Sequence, residues 1–322
     1  MQTIRINKPK LIFIIFASLL FLGGCQMTDR LTSDSSSSMQ PLNTLAWLDR
    51  EGIEEPIDIQ PRNYIYAQLS ADGKQVALNS RDESSDIWIF DLQFESLRRL
   101  TLDLSSNIGP LWASDGRLAY TRVINDTQEL VVQAADRSTP AELLSILSNN
   151  AKYPTSFSAD GRTLIYHTST FGYDMWSLLL NGENSSTQPL FANPAYRETN
   201  GALSPNERWI ANESDETGQL EIFVSPFPNV DTGRIQVSVG GGSRPRWHPD
   251  GNELFYIKQN EPALTGALMS VSIDTNSGFT NEAPVLPFEN KFIAPNAGRQ
   301  VYDISADGQR FLMIQNQLQT EP

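Results

Sequence analysis

Few side chains in this sequence could do chemistry. There are two histidines, His167 and His248, and one cysteine, Cys25. A histidine works as base, proton shuttle or metal ligand only beside groups that orient it. His167 ends an apolar run after Tyr166, and His248 stands in a turn that carries serine elsewhere in the chain. Both therefore read as structural. No G-x-S-x-G, H-E-x-x-H or P-loop pattern occurs, and the glycine run at 240–242 lacks the Gly-Lys-Ser/Thr ending that cradles phosphate. Asp72, Asp115, Asp160, Asp250 and Asp307 each precede a glycine. There an aspartate bonds its own backbone and needs no ligand. Asp86, Asp174 and Glu221 read as loop caps, and the oxygen donors between Asp274 and Glu282 lack calcium-loop spacing. The sequence therefore predicts no catalytic residue, no metal and no cofactor.

A richer set is Arg62, Tyr64, Tyr66, Lys152, Tyr153, Glu198, Asn200, Arg244, Arg246, Arg299 and Tyr302. Arginine and tyrosine are over-represented among the residues that dominate binding interfaces. What places these residues together is a repeat. A turn of the type SADG recurs at Ser70, Ala113, Ser158, Ser204, His248 and Ser305, each copy followed by an apolar run. The first five copies are about 43–46 residues apart, the period of propeller blades. In one unit, YAQL, QVALNS, DIWIFDL and FESLRRLT read as four strands by period-two alternation and β-branched content. Six such units predict an all-β, six-bladed propeller of four-stranded antiparallel blades. The eleven residues then fall on the approaches to the innermost strands, around the mouth of the central channel.

The last unit lacks two strands at its C-terminal end. LAWLD, from Leu45 to Asp49, matches the third-strand pattern IWIFD, and EEPIDI suits an outer strand, where Pro56 is tolerated. The spacing thus predicts a last blade closed by N- and C-terminal strands, and an extended loop around residues 273–299. The segments SADGKQVALNSRDESSDIWIFDL, SPNERWIANESDETGQLEIFVSPFP and GGSRPRWHPDGNELFY resemble TolB-like, WD-like propeller repeats over roughly residues 44–314. They are most similar to the propeller part of larger kinase- or regulator-linked proteins, here with no other domain attached. The resemblance implies the fold firmly. Its relatives include sensors, scaffolds, peptidase gates and lyases.

Arg5, Lys8 and Lys10 precede an apolar stretch at 11–22, shorter than the roughly 20 residues a spanning helix needs, so 1–24 read as a signal peptide. Leu22-Gly23-Gly24-Cys25 resembles the bacterial lipobox, which implies a lipidated Cys25 as first mature residue. Residues 25–43 are this cysteine and a Ser-rich tether with an r.m.s. reach of about 20–25 Å. The propeller then spans 44–316, and 317–322 form a tail. Gln26 resembles the outer-membrane sorting pattern, which would put the protein on the periplasmic face if the host is Gram-negative. The net charge of −14 excludes nucleic acid as partner, because that binding rests on neutralising phosphates. The sequence therefore predicts an envelope lipoprotein that is not an enzyme and whose propeller binds a protein or small ligand as scaffold or sensor. The alternative is a lyase or hydrolase acting on an acidic glycan.

Overall fold

The computed structural model describes residues 42–82, 84–145, 152–169, 173–182, 184–260, 265–275, 278–287, 292–293 and 300–316. The signal peptide, Cys25, nearly all of the tether, Arg299 and the tail lie outside the described residues. The chain opens with β1 (Asn43–Asp49) and β2 (Glu54–Arg62). The first blade is β3 (Tyr64–Leu69), β4 (Gln75–Arg81), β5 (Ser85–Asp91) and β6 (Ser96–Arg99). The second is β7 (Ser106–Trp112), β8 (Arg117–Ile124), β9 (Thr127–Ala134) and β10 (Glu142–Ser145). The third is β11 (Lys152–Phe157), β12 (Thr163–Thr168), β13 (Met175–Leu179) and β14 (Ser186–Phe191). The fourth is β15 (Glu198–Leu203), β16 (Trp209–Ser214), β17 (Glu221–Pro226) and β18 (Ile235–Gln236). The fifth is β19 (Ser243–Trp247), β20 (Glu253–Asn260), β21 (Thr265–Asp274) and β22 (Thr280–Asn281), with β23 (Phe292–Ile293) also on β21. β24 (Tyr302–Ile304) and β25 (Arg310–Asn316) end the described chain.

These strands form six antiparallel sheets, a six-bladed propeller. The last sheet runs β2-β1-β25-β24, as the sequence predicted, with β1 and β25 paired continuously from Asn43↔Asn316 to Asp49↔Arg310. The stretch read as one loop around 273–299 is partly strand. β22 and β23 pair with β21, and Val285 bridges to Ser270.

Each middle strand is buried on both faces because each face meets a different blade. In β4, Val76 and Leu78 pack with Leu45, Trp47, Leu312 and Ile314 of the closing blade. Ala77 packs the other way, with Trp112, Leu118 and Tyr120 of the second blade. The core is thus a ring of inter-blade layers. Outer strands have one edge and one face in water, and β2 is mostly exposed accordingly.

The repeated turns are self-sufficient. The hydroxyls of Ser70, Ser158 and Ser305 donate to Asp72, Asp160 and Asp307 at 2.7, 2.6 and 2.5 Å. Those aspartates also accept the backbone N–H two residues on. His248 takes the serine's place with Nδ1 2.5 Å from Asp250, and its ring lies where a Cβ on Gly308 would be, so only glycine fits there. The fourth turn has Glu207 at φ +55°, and its carboxylate accepts the N–H of Ala159 in the neighbouring turn. Asp86 and Glu221 do more than cap loops. Asp86 accepts from Arg99 and Thr101 at 2.7 and 3.1 Å, and Glu221 from Ser238, Gly240 and Gly241 at 2.5–2.9 Å. Each ties its third strand to the segment that leaves the blade.

Candidate functional site

An innermost strand runs from the loop end of the propeller to the turn end, so its last residues ring the channel next to the turns. The residues two before each turn are Gln68, Leu111, Ser156, Ala202, Arg246 and Asp303, one from each blade. All six line one cavity of about 330 Å³, with Trp112, Trp247 and Leu203 beside them. Three of them stitch adjacent blades through the N–H of the next innermost strand. Asp303 accepts from Leu69 at 2.8 Å, Gln68 from Trp112 at 2.8 Å and Ser156 from Leu203 at 3.2 Å. The indoles of Trp112 and Trp247 add bonds to the carbonyls of Gln68 and Ala202. Leu111 and Ala202 offer no acceptor.

Arg246 is the cation of this ring and cannot accept a backbone N–H. Its Nε stands 3.6 Å from Asp303, beyond ordinary hydrogen-bond distance. Tyr66 adjoins the pair. Burial raises its phenol pKa, and the neighbouring Arg246 opposes that rise. Burial likewise raises the carboxyl of Asp303 against the pull of Arg246 and the Leu69 N–H. The cavity therefore offers a guanidinium, two indole edges and a polar wall to something entering from the turn end. A guanidinium in that setting suits a carboxylate or a peptide carbonyl.

The other expected site residues lie elsewhere, and several are corrections. Tyr64, Lys152, Glu198, Arg244 and Tyr302 are buried, so they do not form an open binding face. Tyr64 donates to the carbonyl of Gln60, and Glu198 pairs with Arg234 at 3.0 Å. Arg62 is peripheral, paired with Asp82 and lying over Trp88 at 4.3 Å. Arg244 is 1% exposed and left-handed, at φ +59°. Its N–H donates to Glu213 at 2.6 Å, and its carbonyl accepts the hydroxyl of Tyr302 at 2.7 Å. Glu213 also accepts from Thr199 at 2.9 Å and from Asn200 at 2.7 Å. These bonds join blades four, five and six. Burial lowers the pKa of the Arg244 guanidinium, with Glu213 opposing that shift.

Tyr153 stacks on His167 at 5.3 Å, and the Asn200 N–H approaches Nδ1 at 3.5 Å. Burial, with Arg197 nearby, pushes the His167 pKa down to about 4. The unfolded chain therefore takes up a proton near pH 6.5 that the folded chain refuses until about pH 4. His167 should cost up to about 3 kcal/mol of stability as pH falls through that window. Urea midpoints measured from pH 7 to 4 should fall less steeply in His167→Gln than in the wild type. Parallel slopes would show that His167 titrates normally.

Gln68, Ser156, Asp303 and Glu213 were missed from sequence. The first three share one offset from the repeated turn, which was available as a signal. Glu213 is an acid inside the strand WIANES, and an acid in a buried strand must be paired.

No family profile and no curated protein sequence matches the chain. Solved structures do. The chain is similar to "putative TolB from Agrobacterium tumefaciens" with TM-score 0.68 at 15% identity, over 86% of this chain and 98% of that one. It is similar to TolB from Acinetobacter baumannii with TM-score 0.58 at 14% identity, over 86% of this chain and 64% of that one, less than two thirds of its length. A "putative 6-phosphogluconolactonase" from Bacteroides uniformis superposes with TM-score 0.53 at 12% identity, over 83% and 87% of the two chains. The chain has the fold of the TolB-like six-bladed β-propellers.

Proposed function

We propose that the protein is a non-catalytic binding propeller of the bacterial cell envelope, held to the membrane through a lipidated Cys25. In a Gram-negative host this would be the periplasmic face of the outer membrane. The binding site is the turn-end channel, and its occupant is an extended segment of an envelope protein or a small carboxylate-bearing ligand. The observation that carries this reading is Arg246. It is the cation in a ring whose polar acceptors Gln68, Ser156 and Asp303 are engaged in joining blades.

The test uses full-length tagged protein crosslinked in its native envelope. Ala71 is exposed and lines the mouth, so Ala71→Trp narrows the channel without disturbing packing. We expect capture of the partner to fall by about tenfold or more, equivalent to losing one hot-spot contact. Undiminished capture would overturn the channel as the site. Turnover of uronate oligomers to an unsaturated product, blocked by the same substitution, would overturn the non-catalytic reading.

A further inference from the structure

The described chain begins at Leu42, at the loop end of the closing blade, because Asn43 pairs with Arg62, the residue from which the chain turns into β3. Any tether therefore leaves the propeller from the loop end. The same end carries an apolar tip on the second blade. Leu102 and Leu104, in the loop between β6 and β7, are 64% and 107% exposed, and Ile124 at the end of β8 is 39% exposed. The pairing Ser106↔Val123 continues outward to set Leu104 beside the Ile124–Asn125 corner, and Leu102 lies two residues before Leu104 in the same loop. The exposed apolar residues Ile53, Phe94 and Leu179 at the turn end belong to three different blades and are scattered.

We propose that the loop end faces the bilayer and that Leu102, Leu104 and Ile124 insert into the headgroup–acyl boundary of a zwitterionic lipid surface. The turn-end channel then opens away from the membrane, toward partners. This rests on the anchoring of Cys25 proposed above. A tether reaching about 20–25 Å keeps the tip within range of the lipid surface. Asp103 lies between Leu102 and Leu104, Asp126 follows Ile124 by two residues, and the whole chain carries −14, so anionic lipid would repel the tip. Interfacial amphipathic helices seat their apolar face roughly 5–10 Å into that boundary, and a similar depth is expected of this tip.

Lipidation occupies the native thiol, so a single introduced cysteine can carry a fluorophore. The lipidated protein is reconstituted in phosphatidylcholine–phosphatidylethanolamine vesicles containing a nitroxide-labelled lipid. Leu104→Cys, labelled, should be quenched roughly fivefold more than labelled Phe94→Cys at the turn end, as expected for a probe at that depth. With the label at Ile124→Cys, adding Leu102→Ser and Leu104→Ser should remove most of the quenching. Protein that fails to float with the vesicles overturns the anchoring, and the orientation falls with it. Protein that floats but is quenched equally at both ends, or more at Phe94→Cys, overturns the orientation alone. A shift at Leu104→Cys that depends on protein concentration and not on lipid assigns the tip to a second copy and overturns the lipid assignment.

Discussion

Glu213→Ala should lower the stability of the propeller by about 2–5 kcal/mol, because three buried donors lose their shared acceptor at roughly 1–3 kcal/mol each. Glu213 is 2% exposed and accepts from Thr199, Asn200 and the backbone of Arg244. Its loss orphans donors from two blades and removes a carboxylate whose charge offsets the burial of the Arg244 guanidinium. Arg244 and Asn200 also hold left-handed backbone at bulges in β19 and β15, conformations that persist only where their surroundings enforce them. Glu213→Gln keeps an acceptor but not the charge, so about half the loss is expected. Urea denaturation checks both, with a lower midpoint at an unchanged slope. A loss under about 1 kcal/mol would mean that the junction is held by packing alone.

Deleting residues 43–62 should abolish cooperative folding. β1 supplies Leu45, Ala46, Trp47 and Leu48, all buried, to two inter-blade layers. At about 1.5–3 kcal/mol for each large apolar side chain, their loss is comparable to the total stability of a domain. It would also expose the edge of β25 to other chains. A circular permutant separates this effect from simple loss of sequence. Asn316 and Asn43 are paired neighbours, so a short hairpin linker can join them, with new termini opened at Asn63. We expect the permutant to retain stability within about 1–2 kcal/mol, because the β1–β25 pairing is preserved. A melt as broad as that of the deletion would show that the β2–β3 connection carries the closure instead. Calorimetry reads both.

The blade order, the closing strands and the structural role of the turn aspartates were legible in the sequence because each depends on local pattern. A turn needs Ser, Asp and Gly at fixed offsets, and a doubly covered strand is apolar along its length. The site was legible only in part. Arg246 lines the channel and Tyr66 stands beside it, whereas Tyr64, Arg244 and Tyr302, with the same residue types and similar positions, are buried. In β3 and β19 a bulge separates the two outcomes, since it changes which side of the strand each later residue occupies.

The sequence by itself determined the propeller, its six units and the way its ends meet, because periodicity records which faces must be covered. Tertiary structure alone decided which polar groups are consumed in joining blades. The Asp303–Leu69 bond spans 234 positions, and the Arg244–Tyr302 bond spans 58. A side chain's chemistry is open to a ligand only if no such distant partner has taken it, and no local pattern carries that information.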